Sequence, residues 1–311
     1  MLDINILISQ MIILFLLLAL GYVIYKLKVV DDAFSKTLSK LVIQVTTPAM
    51  ILASVLNLTE RQELSDVLLA LVIAAVLFFI ILPVIGFLIA KLFHIEKRNV
   101  GLYTFMMTYS NVGFMGFPII DALIGPVGLF YAAIYNLMFN ISIFTFGIWL
   151  INKDKNDGPK FNFKLILTPG VIVAVIALAV YFMNIKAPDL ICNAVDTVGS
   201  LTSPAAMLII GFTLAKMDIK NIFSDYKIYI WTIIRQVIVP LLLWVLLSFI
   251  IKNETMLMVT FILFAMPVAN NSVLFSNMYD GDAELAARSV FITTLFSLIT
   301  VPLCVWLIQF I

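Results

Sequence analysis

The sequence predicts an all-α membrane protein with ten transmembrane helices, built as two inverted repeats of five helices with broken helices that cross. Three features lead to this prediction: the composition, the distribution of basic residues, and two interrupted apolar segments in matching places. Of the 311 residues, 63% are hydrophobic and only 12% are charged. Soluble domains carry about twice that share of charge, so the composition indicates a polytopic membrane protein.

Apolar runs long enough to cross a bilayer, which takes about 20 residues, can be placed ten times. These segments, numbered one to ten, lie near residues 5–25, 36–57, 66–93, 100–124, 127–151, 165–185, 188–215, 228–251, 255–278 and 284–310. The second, fourth, seventh and ninth segments contain residues that weaken helices. These residues are Pro48; Gly113, Gly116 and Pro118; Pro204; and Pro267.

Basic residues alternate from one side of the membrane to the other. The first, third, fifth and seventh loops carry most of the lysines and arginines, whereas the opposite side has only Arg61, Lys186 and Lys252. Because positive charge marks cytoplasmic loops, the odd-numbered loops are predicted to be cytoplasmic. The expected location is the plasma or inner cell membrane, with many spans and both termini outside.

The longest hydrophilic connection divides the chain into halves that are weakly similar. Val45–Ala49 (VTTPA) in the second segment resembles Leu201–Ala205 (LTSPA) in the seventh. Asn111 in the fourth segment corresponds to Asn270 in the ninth at nearly the same spacing. Two units of five segments have opposite orientations, and such an inverted repeat permits inward-open and outward-open states. The predicted division is residues 1–151 as the first repeat, 152–164 as a cytoplasmic linker and 165–311 as the second repeat.

Two polar stretches interrupt the fourth and ninth segments. They are Met106–Pro118 (MMTYSNVGFMGFP) and Met266–Ser272 (MPVANNS). Unpaired backbone at membrane depth is tolerated only where protein or a water-filled cavity covers it. Interrupted segments in corresponding places of two halves indicate the binding site of a secondary transporter.

Half-helices are predicted to begin at these interruptions, near the middle of the bilayer. Helix N-termini present free N–H groups and a partial positive charge, and asparagine side chains add donors and acceptors. The pattern favours an anion or a carboxylate; the competing interpretation is that the asparagines only cap the broken helices. The candidate substrate-binding residues include two amides on one face of the fifth segment and an arginine in the eighth. They are Tyr109, Ser110, Asn111, Asn136, Asn140, Arg235, Asn270 and Asn271.

Two ionisable residues lie within apolar segments, where such residues are costly and by default indicate function. Arg235 could attract an anionic substrate, or it could be structural, paired with Asp196 or bonded to the free carbonyls of a broken helix. Asp196 could bind H⁺ or Na⁺ for coupling, pair with Arg235, or lie in water near the outer interface. The sequence leaves these alternatives open.

Other kinds of chemistry are not indicated. The two cysteines lie in separate apolar segments, the single histidine, His94, lies in a short basic loop, and no metal-ligand spacing is found. There is no phosphate-binding glycine loop and no nucleophile–base pair, so neither ATP-driven transport nor enzymatic activity is expected. We expect no resident cofactor, no metal and no nucleic-acid partner; coupling to Na⁺ or H⁺ stays open.

Four short motifs give the sequence a family resemblance. They are Asn111-x-Gly113-x-x-Gly116-x-Pro118, Arg235 followed by Pro240, Met266-Pro267, and Tyr279-Asp-Gly-Asp with the later Ser289 and Pro302. Together they resemble the signatures of the auxin efflux carriers and their bacterial relatives, the PIN-like and malate–malonate permease-like transporters. Val112 stands where the family signature has a threonine.

The resemblance implies a fold shared with bile-acid/sodium symporters and sodium/proton antiporters, divided into a scaffold domain and a transport domain. It also implies that Asn111 contacts a substrate carboxylate, that Pro118 and Pro267 mark the crossover, and that scaffold segments form a homodimer. The long central loop of plant members is reduced here to residues 152–164, and Ala269-Asn270-Asn271 replaces a glycine-rich run. Bacterial relatives are often linked to malate or malonate, so auxin itself is not the expected ligand.

The predicted function is secondary active or facilitative transport of a small organic anion by alternating access, with the site where the fourth and ninth segments cross. One alternative is a Na⁺-coupled symporter of the bile-acid type, in which some of the same polar groups hold cations. The shortage of carboxylates near the breaks argues against it. Another alternative is a ligand sensor built on a transporter fold, which would need a partner domain.

Overall fold

The part of the chain that the structure describes is helical, with short connections between helices. The computed structural model describes residues 4–58, 62–152, 167–216, 226–279 and 281–310. The helices are α1 (Ile4–Lys26), α2 (Asp32–Leu56), α3 (Leu64–Leu92), α4 (Lys97–Thr108), α5 (Val112–Ile124), α6 (Pro126–Asn152), α7 (Pro169–Phe182), α8 (Asp189–Lys216), α9 (Lys227–Ser248), α10 (Glu254–Ala265), α11 (Asn271–Met278) and α12 (Ala283–Leu307). Arg61 and, apart from Asn152, the predicted linker 152–164 lie outside the described residues.

Six of these helices, α2, α3, α6, α8, α9 and α12, are long and apolar enough to cross a membrane. The helices α5, α7 and α10 and residues Ile12–Lys26 of α1 are apolar but shorter. Large apolar side chains are exposed on the outside of the molecule, for example Leu16 at 64%, Leu246 at 60% and Ile299 at 69%. So much exposed apolar surface suits lipid rather than water, and the chain is a multi-pass membrane protein.

The fourth and ninth apolar segments are each split into two helices. In the fourth segment α4 ends at Thr108 and α5 begins at Val112. In the ninth, α10 ends at Ala265 and α11 begins at Asn271, with Pro267 between them. The glycines and the proline predicted to weaken the fourth segment lie at the start of α5, directly after its break.

Proline is accommodated inside several helices by a preceding π-type turn. The turns Val42–Thr46, Leu77–Ile81, Val112–Gly116 and Ile234–Ile238 each end two residues before a proline, namely Pro48, Pro83, Pro118 and Pro240. Proline lacks an N–H and its ring clashes with the carbonyl four residues earlier, and a wider turn relieves both problems. The chain therefore stays helical through Pro48, where the sequence predicted an interruption.

The seventh segment is interrupted only briefly. Its helix continues from Asp189 to Lys216 apart from a turn at Leu201, and Pro204 lies in the first turn after it. Proline is tolerated in a first helical turn because the N–H it lacks would have no partner there. Neither Pro204 nor Pro48 therefore forms a break like those of the fourth and ninth segments.

Glycines allow helices α1 and α8 to pack with their backbones in contact. A Cβ added at Gly21 would lie 2.5 Å from the Leu208 carbonyl oxygen, and one added at Gly211 would lie 2.2 Å from that of Leu18. Small residues of this kind are typical of close helix packing in membranes. The α1–α8 pair forms one side of the molecule, against which α5 and α12 also pack.

Candidate functional site

Backbone hydrogen bonds join the two breaks where they cross. The Asn111 N–H donates to the Pro267 carbonyl at 2.8 Å, and the Ala269 N–H donates to the Tyr109 carbonyl at 3.1 Å. Between these bonds, Ser110 and Val268 lie opposite each other in an antiparallel bridge. Each break therefore provides hydrogen-bond partners for polar backbone groups of the other, as the burial of these residues requires. We call this pairing of residues 109–111 with 267–269 the crossover.

Asn111 caps helix α5 and keeps one side-chain group unused. Its Oδ1 accepts from the Phe114 N–H at 3.2 Å, and its carbonyl accepts from Met115 and Gly116. The residue is only 4% exposed, yet its Nδ2 has no hydrogen-bond partner. Seven buried side-chain polar atoms of the described residues lack a partner, and of these only Asn111 Nδ2 belongs to a residue that lines the cavity described next, where a ligand can bond to it.

A cavity of about 230 Å³ lies beside the crossover. It brings together five of the eight predicted substrate-binding residues: Ser110, Asn111, Asn136, Asn140 and Asn271. The sequence interpretation missed Thr47 and Thr168, which also line the cavity, because single threonines within or beside apolar helices carry no distinctive pattern. The remaining lining residues are Ile43, Val112, Gly113, Phe114, Phe139, Phe144, Gly170, Ala269 and Leu274.

The two asparagines of α6 lie on one face of that helix, as their spacing predicts. Asn140 donates through Nδ2 to the Asn136 carbonyl at 2.7 Å, so one of its N–H groups is engaged by its own helix. Asn136 is 8% exposed. Both residues line the cavity, to which they bring amide groups.

Arg235 lies behind the crossover and binds the ends of the broken helices. Its Nε donates to the Met106 carbonyl at 2.8 Å and its Nη1 to the Met266 carbonyl at 2.5 Å. Its Nη2 donates to Ser110 Oγ at 3.2 Å and makes 3.5 Å contacts with the carbonyls of Tyr109 and Pro267. The guanidinium thus links α4 to α10, and it reaches the cavity only through Ser110.

Asp196 is not the partner of Arg235. Its carboxylate accepts instead from Asn57 Nδ2 at 3.1 Å, between α8 and the end of α2. Of the structural alternatives that the sequence left open for Arg235, the observed one is bonding to the free carbonyls of broken helices. Asp196 is exposed and Asn57 is half-buried, and neither residue lines the cavity.

Three predicted residues have their side chains outside the cavity lining. The Tyr109 hydroxyl forms a 2.7 Å hydrogen bond with Ser142 Oγ, and its ring stacks on Phe78, so only its backbone takes part in the crossover. Asn270 precedes α11 and makes no side-chain cap. Arg235, described above, is the third.

A threonine on α12 supports the crossover from behind. Thr293 Oγ1 accepts from the Val268 N–H at 3.1 Å, and its carbonyl accepts from Gln236 Nε2 at 2.9 Å. Both contacts are buried, and neither residue was singled out from the sequence. They tie the ninth segment's break to α9 and α12.

A multi-pass helical protein in which two broken helices cross beside a cavity that contains amide and hydroxyl groups has the architecture of a membrane transporter. Residues 6–160 and 158–305 match the family model described as Membrane transport protein. Because the two matches span almost the whole chain, the protein belongs to this family, the auxin efflux carriers. The resemblance predicted from the motifs is confirmed.

Similar proteins from archaea and bacteria match nearly end to end. The chain is 24% identical over 302 residues to Uncharacterized transporter MJ1031 of Methanocaldococcus jannaschii, covering 95% of this chain and 97% of the relative. It is 23% identical over 288 residues to an Uncharacterized transporter of Methanothermobacter thermautotrophicus, covering 92% and 93%. It is 22% identical over 302 residues to Uncharacterized transporter YfdV of Escherichia coli K12, covering 93% and 94%.

Proposed function

We propose that the protein is a secondary transporter, active or facilitative, that moves a small organic anion by alternating access through the cavity at the crossover. The observation that carries the proposal is the Asn111 Nδ2 group, which is buried and unpaired on a residue that lines the cavity. A buried unpaired donor costs roughly 1–3 kcal/mol. A carboxylate oxygen bound in the cavity would recover that cost.

The surroundings of the cavity favour an anion over a cation. Helices α5 and α11 both begin beside it, and a helix N-terminus carries roughly half a positive charge. Arg235 adds a full positive charge behind Ser110. No side chain that lines the cavity is acidic, and the described residues contain no cluster of His, Cys, Asp or Glu suited to a metal ion. These features count against the Na⁺-coupled alternative.

The size of the cavity favours a small substrate. Its volume of about 230 Å³ is below the roughly 300–1,000 Å³ of sites that take drug-sized ligands. Phe114, Phe139 and Phe144 contribute to its largely apolar wall, into which four asparagines introduce amide groups. Short carboxylates such as malonate or malate suit this volume better than an indole carboxylate does.

The positions of the breaks support the ten-helix inverted repeat, in which α4–α5 and α10–α11 are equivalent pairs. With the odd-numbered loops cytoplasmic, α7 begins on the inner side of the membrane. Thr168 and Gly170, at the start of α7, line the cavity. We therefore infer that the described conformation faces inward, with both termini outside.

Polar contacts join helices on the opposite side in this orientation. Asn57 binds Asp196 at 3.1 Å, and Asn253 Nδ2 binds Asp66 at 2.6 Å and the Tyr131 hydroxyl at 3.1 Å. The second set joins the start of α3 to α6 and to the connection before α10. In the proposed alternating-access cycle, we expect contacts on this side to open when the cavity turns outward.

The test is uptake of radiolabelled malate, malonate and indole-3-acetate into proteoliposomes, with and without Na⁺ and a pH gradient. Saturable anion uptake by the wild type, lost in Asn111→Ala, is expected, and its ion dependence identifies the coupling. Asn193→Ala, at an exposed position outside the cavity, is the matched control and should transport normally. Uptake of Na⁺ or H⁺ without any anion would overturn the proposal and favour a cation transporter.

A further inference from the structure

Arg235 is a buried cation without an anionic partner. It is 1% exposed, and none of the ion pairs among the described residues includes it. All of its side-chain hydrogen bonds go to the two breaks or to the last turn before them. Burying a charge is costly unless an opposite charge or a full set of hydrogen bonds compensates it, so both the bonds and the missing counter-charge need an explanation.

The hydrogen bonds place the guanidinium in a cage of carbonyl groups. Helices α4 and α10 end there, and a helix C-terminus has free carbonyls and a partial negative charge. Met106 belongs to the last turn of α4, and Met266 directly follows α10. In transporters with broken helices, unwound carbonyls and half-helix C-termini are the groups that coordinate a coupling Na⁺. Here the equivalent oxygens are already bound to Arg235.

A counter-charge for Arg235 can be supplied by a ligand in the cavity. Arg235 Nη2 donates to Ser110 Oγ, and Ser110 lines the cavity. With its oxygen accepting from the guanidinium, the Ser110 hydroxyl can donate its own hydrogen towards the cavity. Ser110 is next to Asn111, whose Nδ2 is unpaired. A carboxylate bound there would meet two donors and would lie one side chain away from the positive charge.

We propose that Arg235 is the resident cation of the crossover. Its guanidinium occupies the carbonyl cage where a coupling cation would otherwise bind, and the anionic substrate, held through Ser110, is its counter-charge. This inference rests on the proposed function, because it specifies what the anion site recognises and why that site needs no Na⁺. It makes Arg235 a specificity-determining residue that acts through Ser110.

Two consequences separate this role from a purely structural one. Transport should not depend on Na⁺ when the membrane potential and pH are fixed. Charge selectivity should also depend on Arg235. Removal of its charge should weaken the binding of carboxylates far more than the binding of neutral amides of the same shape. If Arg235 only held the breaks together, replacing it would lower the amount of folded protein without changing the preference between the two ligands.

The experiment compares wild type, Arg235→Gln and Arg235→Lys in proteoliposomes, with Arg98→Gln as a control at an arginine whose side chain is 77% exposed. The probes are radiolabelled malonate and indole-3-acetate, competed by malonamide and indole-3-acetamide in Na⁺ and K⁺ buffers. The wild type should prefer the carboxylate of each pair by about tenfold or more. Arg235→Gln should lose most of that preference, whereas Arg235→Lys and Arg98→Gln should keep it.

Each outcome bears on one proposal. Wild-type uptake that requires Na⁺, or an unchanged carboxylate preference in folded Arg235→Gln, would overturn the role of Arg235 and leave anion transport standing. If Arg235→Gln does not fold, the Na⁺ dependence of the wild type still decides whether the carbonyl cage needs a mobile cation. Absence of saturable uptake of any anion by the wild type would instead overturn the proposed function.

Discussion

Asn111 and Pro267 are joined across the two broken helices by a 2.8 Å hydrogen bond from the Asn111 N–H to the Pro267 carbonyl. The bond fixes the backbone of Asn111, and the Phe114 N–H fixes its Oδ1. The side chain therefore has one orientation, in which Nδ2 is left unpaired. A ligand donor held in this way needs little further ordering on binding, which favours affinity.

Replacing Asn111 by aspartate should abolish anion uptake while leaving the protein folded. Aspartate has the same shape and caps helix N-termini as well as asparagine does, but it exchanges the free donor for a negative charge. We expect at least a tenfold loss of malonate uptake, with a melting temperature in detergent within a few degrees of wild type. Asn111→Ser, a cap with a shorter side chain that lacks both the amide N–H₂ and the negative charge, should give uptake between that of wild type and that of Asn111→Asp. Equal uptake by Asn111→Asp and wild type would show that no anion approaches this side chain.

Two glycines of α5 should respond in opposite ways to alanine. A Cβ at Gly113 would meet no atom within 4 Å, whereas a Cβ at Gly116 would lie 2.8 Å from Leu263 Cδ2 on α10. Neither glycine has a positive φ, so alanine gains roughly 0.4–1 kcal/mol from reduced chain entropy at both positions. At Gly116, overpacking of about 1–3 kcal/mol exceeds that gain.

Gly113→Ala should therefore melt at or above the wild-type temperature but transport less, since its methyl group enters the cavity. Gly116→Ala should melt at a lower temperature. Thermal unfolding in detergent and malonate uptake, measured on both variants, check this pair. A Gly113→Ala variant with normal affinity for every anion in the panel would place the substrate away from the start of α5.

The sequence predicted where the helices break but not which side chains of the half-helices face the cavity. Glycine, proline and asparagine lower the local cost of leaving a helix, so the interruptions near Asn111 and Pro267 follow from composition. Which side chains face the cavity depends on packing between helices far apart in sequence. Tyr109 turns to Ser142 for this reason, and Asn270 lies outside the lining. The continuous helix at Pro48 was missed because the π-type turn before it gives no signal in the composition.

The hydroxyl of Thr293 should be needed for the stability of the crossover. Thr293→Val keeps the shape but leaves the buried Val268 N–H without its acceptor, which costs roughly 1–3 kcal/mol. Thr293→Ser retains the hydroxyl and is the matched control, with a smaller loss from its missing methyl group. Thermal unfolding in detergent should rank wild type above Thr293→Ser and Thr293→Ser above Thr293→Val. Equal stability of the valine and serine variants would mean that Val268 finds another partner.

The membrane orientation can be tested by labelling two single-cysteine variants in intact cells. Lys97 precedes the residues of α4 that lead to the crossover, and Lys252 lies between α9 and α10; both are exposed. The distribution of basic residues places Lys97 inside and Lys252 outside. With Cys192 and Cys304 changed to serine, a membrane-impermeant maleimide should label Lys252→Cys in intact cells and Lys97→Cys only after permeabilisation.

The reverse labelling pattern would show that the topology is opposite to the predicted one, and the conformation inferred to face inward would then face outward. Labelling of both variants in intact cells would mean that the chain between them crosses the membrane an even number of times, which is incompatible with five segments between the third and eighth loops.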